Sequence, residues 1–261
     1  MFRIRYRSLP ALVALITILQ GCGASPSPTT TTSALPTSSP AAKVRPVEGQ
    51  VVSIPTEDAA RNLDGTLYGK SDVAVIFSNM GAQRQETWGA FVQDVAAKGY
   101  MVLTYNMRYW VTDTEIEGSL RNKAAEDLIA AVNFVRTQGA KSIVLVGASL
   151  GGMATAKVAA AENPAAVVIM AAPMSANGLD FRVEESEVKQ ITAPKLFIYS
   201  QDESKEISDG LKQMYDLAPQ PKEIHAYPGT AHGTDLFETE HRADLIQRLL
   251  DFIGSHAPVT P

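Results

Sequence analysis

The 261 residues include a single cysteine, Cys22, so neither an intrachain disulfide nor a cysteine-rich metal site can form. Positive charge is not in excess: 23 Lys and Arg stand against 28 Asp and Glu, a formal net charge of −5. That balance gives no global attraction for nucleic acid or for an anionic lipid surface. Histidine is scarce, with four residues, so a general base has few candidates. No internal repeat is evident, and no apolar run is long. The run at 11–19, broken only by Thr17, is far shorter than the ~20 residues needed to cross a bilayer. What is present is 45% hydrophobic residues, enough for one sizeable core but on too short a chain for two full-sized domains.

The first 42 residues differ from the rest. Arg3, Arg5 and Arg7 precede the short apolar run, and no acidic residue occurs before position 22. A positive segment followed by a short apolar one is the pattern of a secretion signal. The stretch closes on Leu19-Gln20-Gly21-Cys22, which resembles a bacterial lipobox, in which the cysteine is acylated and becomes the new N-terminus. The resemblance implies a signal peptide over 1–21 and an exported chain. It also implies a lipid anchor at Cys22 that leaves the globular part on the extracytoplasmic side. Residues 23–42 are almost wholly Ser, Thr, Pro, Ala and Gly. They bury too little apolar surface to offset ordering entropy and are expected to form a disordered spacer. Residues 43–261 are then the folded domain.

Through that domain, apolar runs alternate with helical patterns. Val51–Ile54 and Leu63–Tyr68 read as short strands. Val73–Ser78, Tyr100–Tyr105, Ser142–Val146, Val167–Met170 and Lys195–Tyr199 read as buried strands, and Glu223–Tyr227 as a short last one. Helical spacing runs over 86–98, 120–138, 149–161, 207–217 and 235–253. Buried strands alternating with helices predict a doubly wound, mostly parallel α/β sheet of about eight strands, covered on both faces. In such sheets functional groups gather at the carboxyl edge.

Past the strand SIVLV comes Gly147-Ala148-Ser149-Leu150-Gly151, a G-x-S-x-G at a strand-to-helix junction. The turn must be tight enough to lift the serine hydroxyl above the sheet, and side chains on its flanks would collide. A capping serine in a Gly-rich turn is the plainer reading of the same residues. A phosphate loop is disfavoured, since no Lys-Ser/Thr follows the glycines. A serine nucleophile needs a base, usually a histidine oriented by a carboxylate. His256 lies in the tail, His241 among charged helix residues, and His225 inside a strand. His232, in a Gly-flanked loop beyond the last strand, is the candidate base. Asp202 is the first carboxylate past KLFIYS and the candidate acid, with Glu203 its rival. Asp235 is read as capping the final helix. Leu150 and Met80 are expected to donate N–H groups to an oxyanion, with Gly81 the second choice after Met80.

These residues together resemble the α/β-hydrolase superfamily, in particular its small esterase-like and dienelactone-hydrolase-like bacterial members. The stretches that carry the likeness are VAVIFSNMGAQRQETW, KSIVLVGASLGGMA, APKLFIYSQDE and YPGTAHGTDLF, and the order Ser149, Asp202, His232 is that of the superfamily. The resemblance implies a Ser-His-Asp hydrolase of small carboxylic esters, working through an acyl-enzyme with no metal or other cofactor. A peptidase or amidase on the same triad, or a silent binding lipoprotein, are the alternatives. Two positions depart from the family pattern: Asn79 stands where a histidine is usual, and Asn106-Met107-Arg108-Tyr109 replaces Asp-x-Arg-Gly. A cysteine nucleophile of the dienelactone hydrolase kind is excluded by Ser149. Between Met170 and Lys195 only Leu179, Phe181 and Val183 offer bulk for an apolar lid, so little or no lid and a preference for short acyl groups are expected.

Overall fold

The computed structural model describes residues 46–259 apart from 59, 60, 82, 113 and 177. The signal segment, Cys22 and the Ser/Thr/Pro spacer lie outside the described residues. Among the described residues, eight strands form one sheet: β1 Gly49–Ile54, β2 Leu63–Tyr68, β3 Val73–Ser78, β4 Met101–Tyr105, β5 Ser142–Ala148, β6 Ala166–Met170, β7 Lys195–Ser200 and β8 Lys222–Tyr227. Their order is β1-β2-β4-β3-β5-β6-β7-β8. The β1/β2 and β2/β4 pairs are antiparallel and every other pair is parallel. This is the doubly wound, mostly parallel α/β architecture expected from the sequence.

Among the described residues, six helices accompany the sheet: α1 Phe91–Ala96, α2 Ala124–Thr137, α3 Leu150–Glu162, α4 Glu185–Gln190, α5 Lys205–Leu217 and α6 Arg242–His256. Successive residues of the central strands feed opposite faces, because side chains alternate along a strand. On β3, Ala74 and Ile76 join Leu128 and Val132 of α2. Val75 and Phe77 join Phe91 of α1 and Leu249 of α6 on the other side. A strand that feeds two cores must be apolar throughout, which is why VAVIFS shows no alternation.

Three predicted helices differ from what forms. The segment expected over 86–98 is a 3₁₀ turn, Gln85–Trp88, and then α1, separated at Gly89 with φ +49°. The segment over 120–138 begins as a 3₁₀ turn, Gly118–Lys123. The terminal segment is a 3₁₀ turn, Gly233–Glu238, followed by α6, so Asp235 sits in the short turn and does not cap the last helix. Helix α4 was not foreseen; a capping box between Glu184 and Glu187 starts it.

The topology decides where the site lies. From β3 the chain passes to β4 on one side, and β5 lies on its other side, so the strand order reverses between β3 and β5. Crevices at the carboxyl ends of strands open at such a reversal. Ser78 pairs in register with Gly147, which puts the loop after β3 beside the turn after β5. Ser200 pairs with Tyr227, so the loops after β7 and β8 also leave together.

Candidate active site

Ser149 has φ +53° and ψ −118°, a conformation that costs on the order of 1–3 kcal/mol for a residue with a side chain. The surroundings hold it there. Its N–H donates to the Met170 carbonyl at 2.9 Å, and its own carbonyl accepts the Met153 N–H at 2.9 Å as α3 begins. The flanking glycines are required by contact. A Cβ on Gly147 would stand 2.2 Å from the Gly151 oxygen, and one on Gly151 would stand 2.2 Å from the Ser78 oxygen. The serine thus sits on a strained elbow rather than serving as a simple cap, and it makes no capping hydrogen bond. At the N-terminus of α3 the Leu150 N–H has no intrahelical partner, and the helix presents its positive end there.

His232 is held by the elements around it. Ser200 Oγ donates to the Ala231 carbonyl at 2.6 Å, and the His232 carbonyl accepts the Asp235 N–H at 2.9 Å. Gly233, with φ +53°, passes so close to the elbow that a Cβ there would lie 2.6 Å from Met80 Sδ and 3.2 Å from the Ala148 Cβ. The Thr87 and Thr234 hydroxyls bond to each other, while Trp88 and Phe91 pack on Phe237 at ring separations of 6.2 and 5.2 Å. The residue beside His232 therefore lies against the residue before Ser149. Among the described residues no hydrogen bond joins Ser149 to His232; such contacts often tighten only when substrate is bound.

The carboxylate on the imidazole belongs to Glu203. Its Oε1 lies 2.6 Å from His232 Nδ1, its Oε2 accepts the Ser200 N–H at 3.1 Å, and its side chain is 3% exposed. Asp202, expected from the sequence, is exposed. Its N–H donates to the Gly229 carbonyl at 2.9 Å, prolonging the β7–β8 pairing and leaving its side chain in solvent. The neighbouring residue turns inward, and the longer Glu side chain reaches the ring.

The loop after β3 also differs in detail from expectation. Met80 is buried, and its carbonyl accepts three hydrogen bonds: from Gln83 N–H at 3.1 Å, from Tyr109 Oη at 3.1 Å and from Asn79 Nδ2 at 3.2 Å. Burial pushes the Tyr109 hydroxyl up to about 12, so it remains a donor at neutral pH. In a trans peptide the next N–H points away from the carbonyl, so the Gly81 N–H faces away from this brace. It is Gly81, not Met80, that lines a cavity of about 360 Å³ with Ser149 and Leu150. The two departures from the family pattern are thereby explained as braces. Asn79 Nδ2 holds the Met80 and Gln83 carbonyls, and Asn106 Oδ1 accepts the Gln85 N–H at 2.8 Å. Behind them, buried Arg108 binds both Asp127 and Asp58. Burial pushes the Asp127 carboxyl up to about 6 against the pull of Arg108.

Met153, Leu179 and Ile207 give the cavity apolar walls, and Arg121, Ser204 and Glu206 add polar groups. Of the three bulky residues that might have formed a lid, Phe181 and Val183 are buried in the core and only Leu179 faces the cavity. Lys157 of α3 ties the segment down through Glu187 at 2.7 Å. Among the described residues no group of three metal-ligating side chains gathers. The other histidines lie elsewhere: His225 and His241 flank Tyr227, and His256 rests on Phe252.

A family model described as an alpha/beta hydrolase domain matches residues 74–242, well over half the chain. The chain belongs to this family. No curated protein matches its sequence. Among solved structures the fold is similar to an esterase of Pyrococcus furiosus, at 16% identity and a TM-score of 0.65, over 80% of this chain and 93% of that one. It is also similar to the esterase domain of a Rhodothermus marinus protein, at 18% identity and 0.62, over 79% and 98%. A third is an α/β serine hydrolase without a lid from Xanthomonas campestris, at 17% identity and 0.62, over 84% and 99%.

Proposed function

We propose that the protein is a serine esterase whose triad is Ser149, His232 and Glu203. The observation that carries this is the Glu203 Oε1–His232 Nδ1 contact of 2.6 Å, on a loop pressed against a strained serine elbow. Ser149 Oγ attacks the ester carbonyl carbon while His232 Nε2 takes its proton. Glu203 holds the imidazole in the tautomer that leaves Nε2 free and then stabilises the imidazolium. The Leu150 and Gly81 N–H groups receive the oxyanion. The alkoxide leaves with the proton from His232, an acyl-enzyme remains, and water repeats the sequence in reverse order. No step needs a metal or an organic cofactor. The elbow context, the fold and the esterase neighbours support this reading over a binding protein.

The small, open cavity supports short acyl groups as substrates. The signal-like start and Cys22 support export and lipid anchoring of the mature protein. A panel of ethyl esters from acetate to decanoate tests the reading. Turnover that is highest at short chains and reduced by about 10³-fold or more in Ser149→Ala is expected. A preference for the longest chains would contradict the open-site argument, and unaltered turnover in Ser149→Ala would remove the serine mechanism.

A further inference from the structure

Arg121 lines the cavity that holds Ser149. It sits in the 3₁₀ turn before α2 with its guanidinium carbon 5.6 Å from the centre of the Tyr109 ring. Its Nε is buried and has no hydrogen-bond partner among the described residues. Nor does any described carboxylate form an ion pair with it, in contrast to Arg108, which binds two. Glu206, the acid that lines the same cavity, is already engaged in an interaction of its own. A buried, unmet donor on a charged group bears a desolvation cost that an incoming acceptor relieves. The guanidinium edge matches a planar carboxylate with two parallel N–H···O bonds. Around it, Met153, Leu179 and Ile207 supply apolar contact for a short carbon chain.

Building on the esterase reading above, we propose that Arg121 makes this cavity selective for short esters that carry a free carboxylate, such as half-esters of small dicarboxylic acids. The stack on Tyr109 sets the direction of the guanidinium, and the carboxylate completes its hydrogen bonds. The substrate is thereby oriented at its far end while the ester carbonyl lies at Ser149.

The test compares monoethyl succinate with ethyl 4-methylpentanoate, which has the same shape but no charge, by ethanol release. For the wild-type protein kcat/KM is expected to favour the charged ester by about tenfold or more. In Arg121→Met that ratio should collapse, and Arg121→Lys should restore part of it. An equal ratio in wild type and Arg121→Met, with both esters slowed together, would make Arg121 only a prop for Tyr109 and overturn the inference. So would a wild-type enzyme that does not prefer the charged ester. A second arm does not depend on turnover: calorimetric binding of monoethyl succinate to Ser149→Ala, with and without Arg121→Met. Binding that requires Arg121, without hydrolysis by the wild type, would fault the esterase reading alone. Absence of Arg121-dependent binding would overturn the carboxylate site.

Discussion

At Glu203 both carboxylate oxygens are committed, Oε1 to the imidazole and Oε2 to the backbone N–H of Ser200. The second bond fixes the carboxylate relative to the end of β7, so the ring it holds is fixed relative to the sheet. Removing the charge while keeping the shape should therefore cost catalysis rather than folding. Glu203→Gln is expected to lower kcat/KM for a short ester by about 10²–10⁴-fold, whereas Asp202→Asn should remain within about threefold of wild type. Steady-state kinetics on the two variants check this, and the reverse ranking would return the role to Asp202. Ser149 and His232 stand out in the sequence as candidates because each is bracketed by glycines at a strand end, a pattern with a steric cause. The carboxylate that meets His232 does not stand out, since two adjacent carboxylates differ only in how the chain turns after Ser200. That turn depends on the Gly229 carbonyl of another loop.

Among the elements, the loop after β3 shows how long-range contacts shape a site. Its Met80 carbonyl is pinned by Tyr109, 29 residues away in sequence, and the next residue, Gly81, lines the cavity. No local pattern announces such a contact; the sequence marks Asn79 and Tyr109 only as departures from the family. Tyr109→Phe keeps the ring on which Arg121 stacks and deletes the hydroxyl's bonds to Met80 and Asn79 in the loop. A fall in kcat of about three- to tenfold with little change in KM is expected, as for the loss of neutral hydrogen bonds felt in the transition state. A rise in KM at constant kcat would instead show that Tyr109 supports ground-state binding. The apolar spacing over 86–98 and 235–253 is real, but the first is split at Gly89 and the second between Glu238 and Arg242. The short 3₁₀ turns so formed present Trp88 and Phe237 to each other and lock the His232 loop onto the sheet.

For the molecule as a whole, the architecture was readable because each central strand is a continuous apolar run bounded by turn residues, a signature that belongs to strands covered on both faces. The doubly wound order then brings the ends of β3 and β5 together on one side and those of β7 and β8 together on the other. Ser149, the loop after β3, His232 and Glu203 all leave the same edge of the sheet. Whether this edge carries an activated serine is decided by labelling the protein with a fluorophosphonate probe and mapping the modified peptide by mass. Stoichiometric labelling at Ser149 is expected, abolished in Ser149→Ala and strongly slowed in Glu203→Gln. A folded protein that resists the probe, or one labelled at another serine, would overturn the serine mechanism.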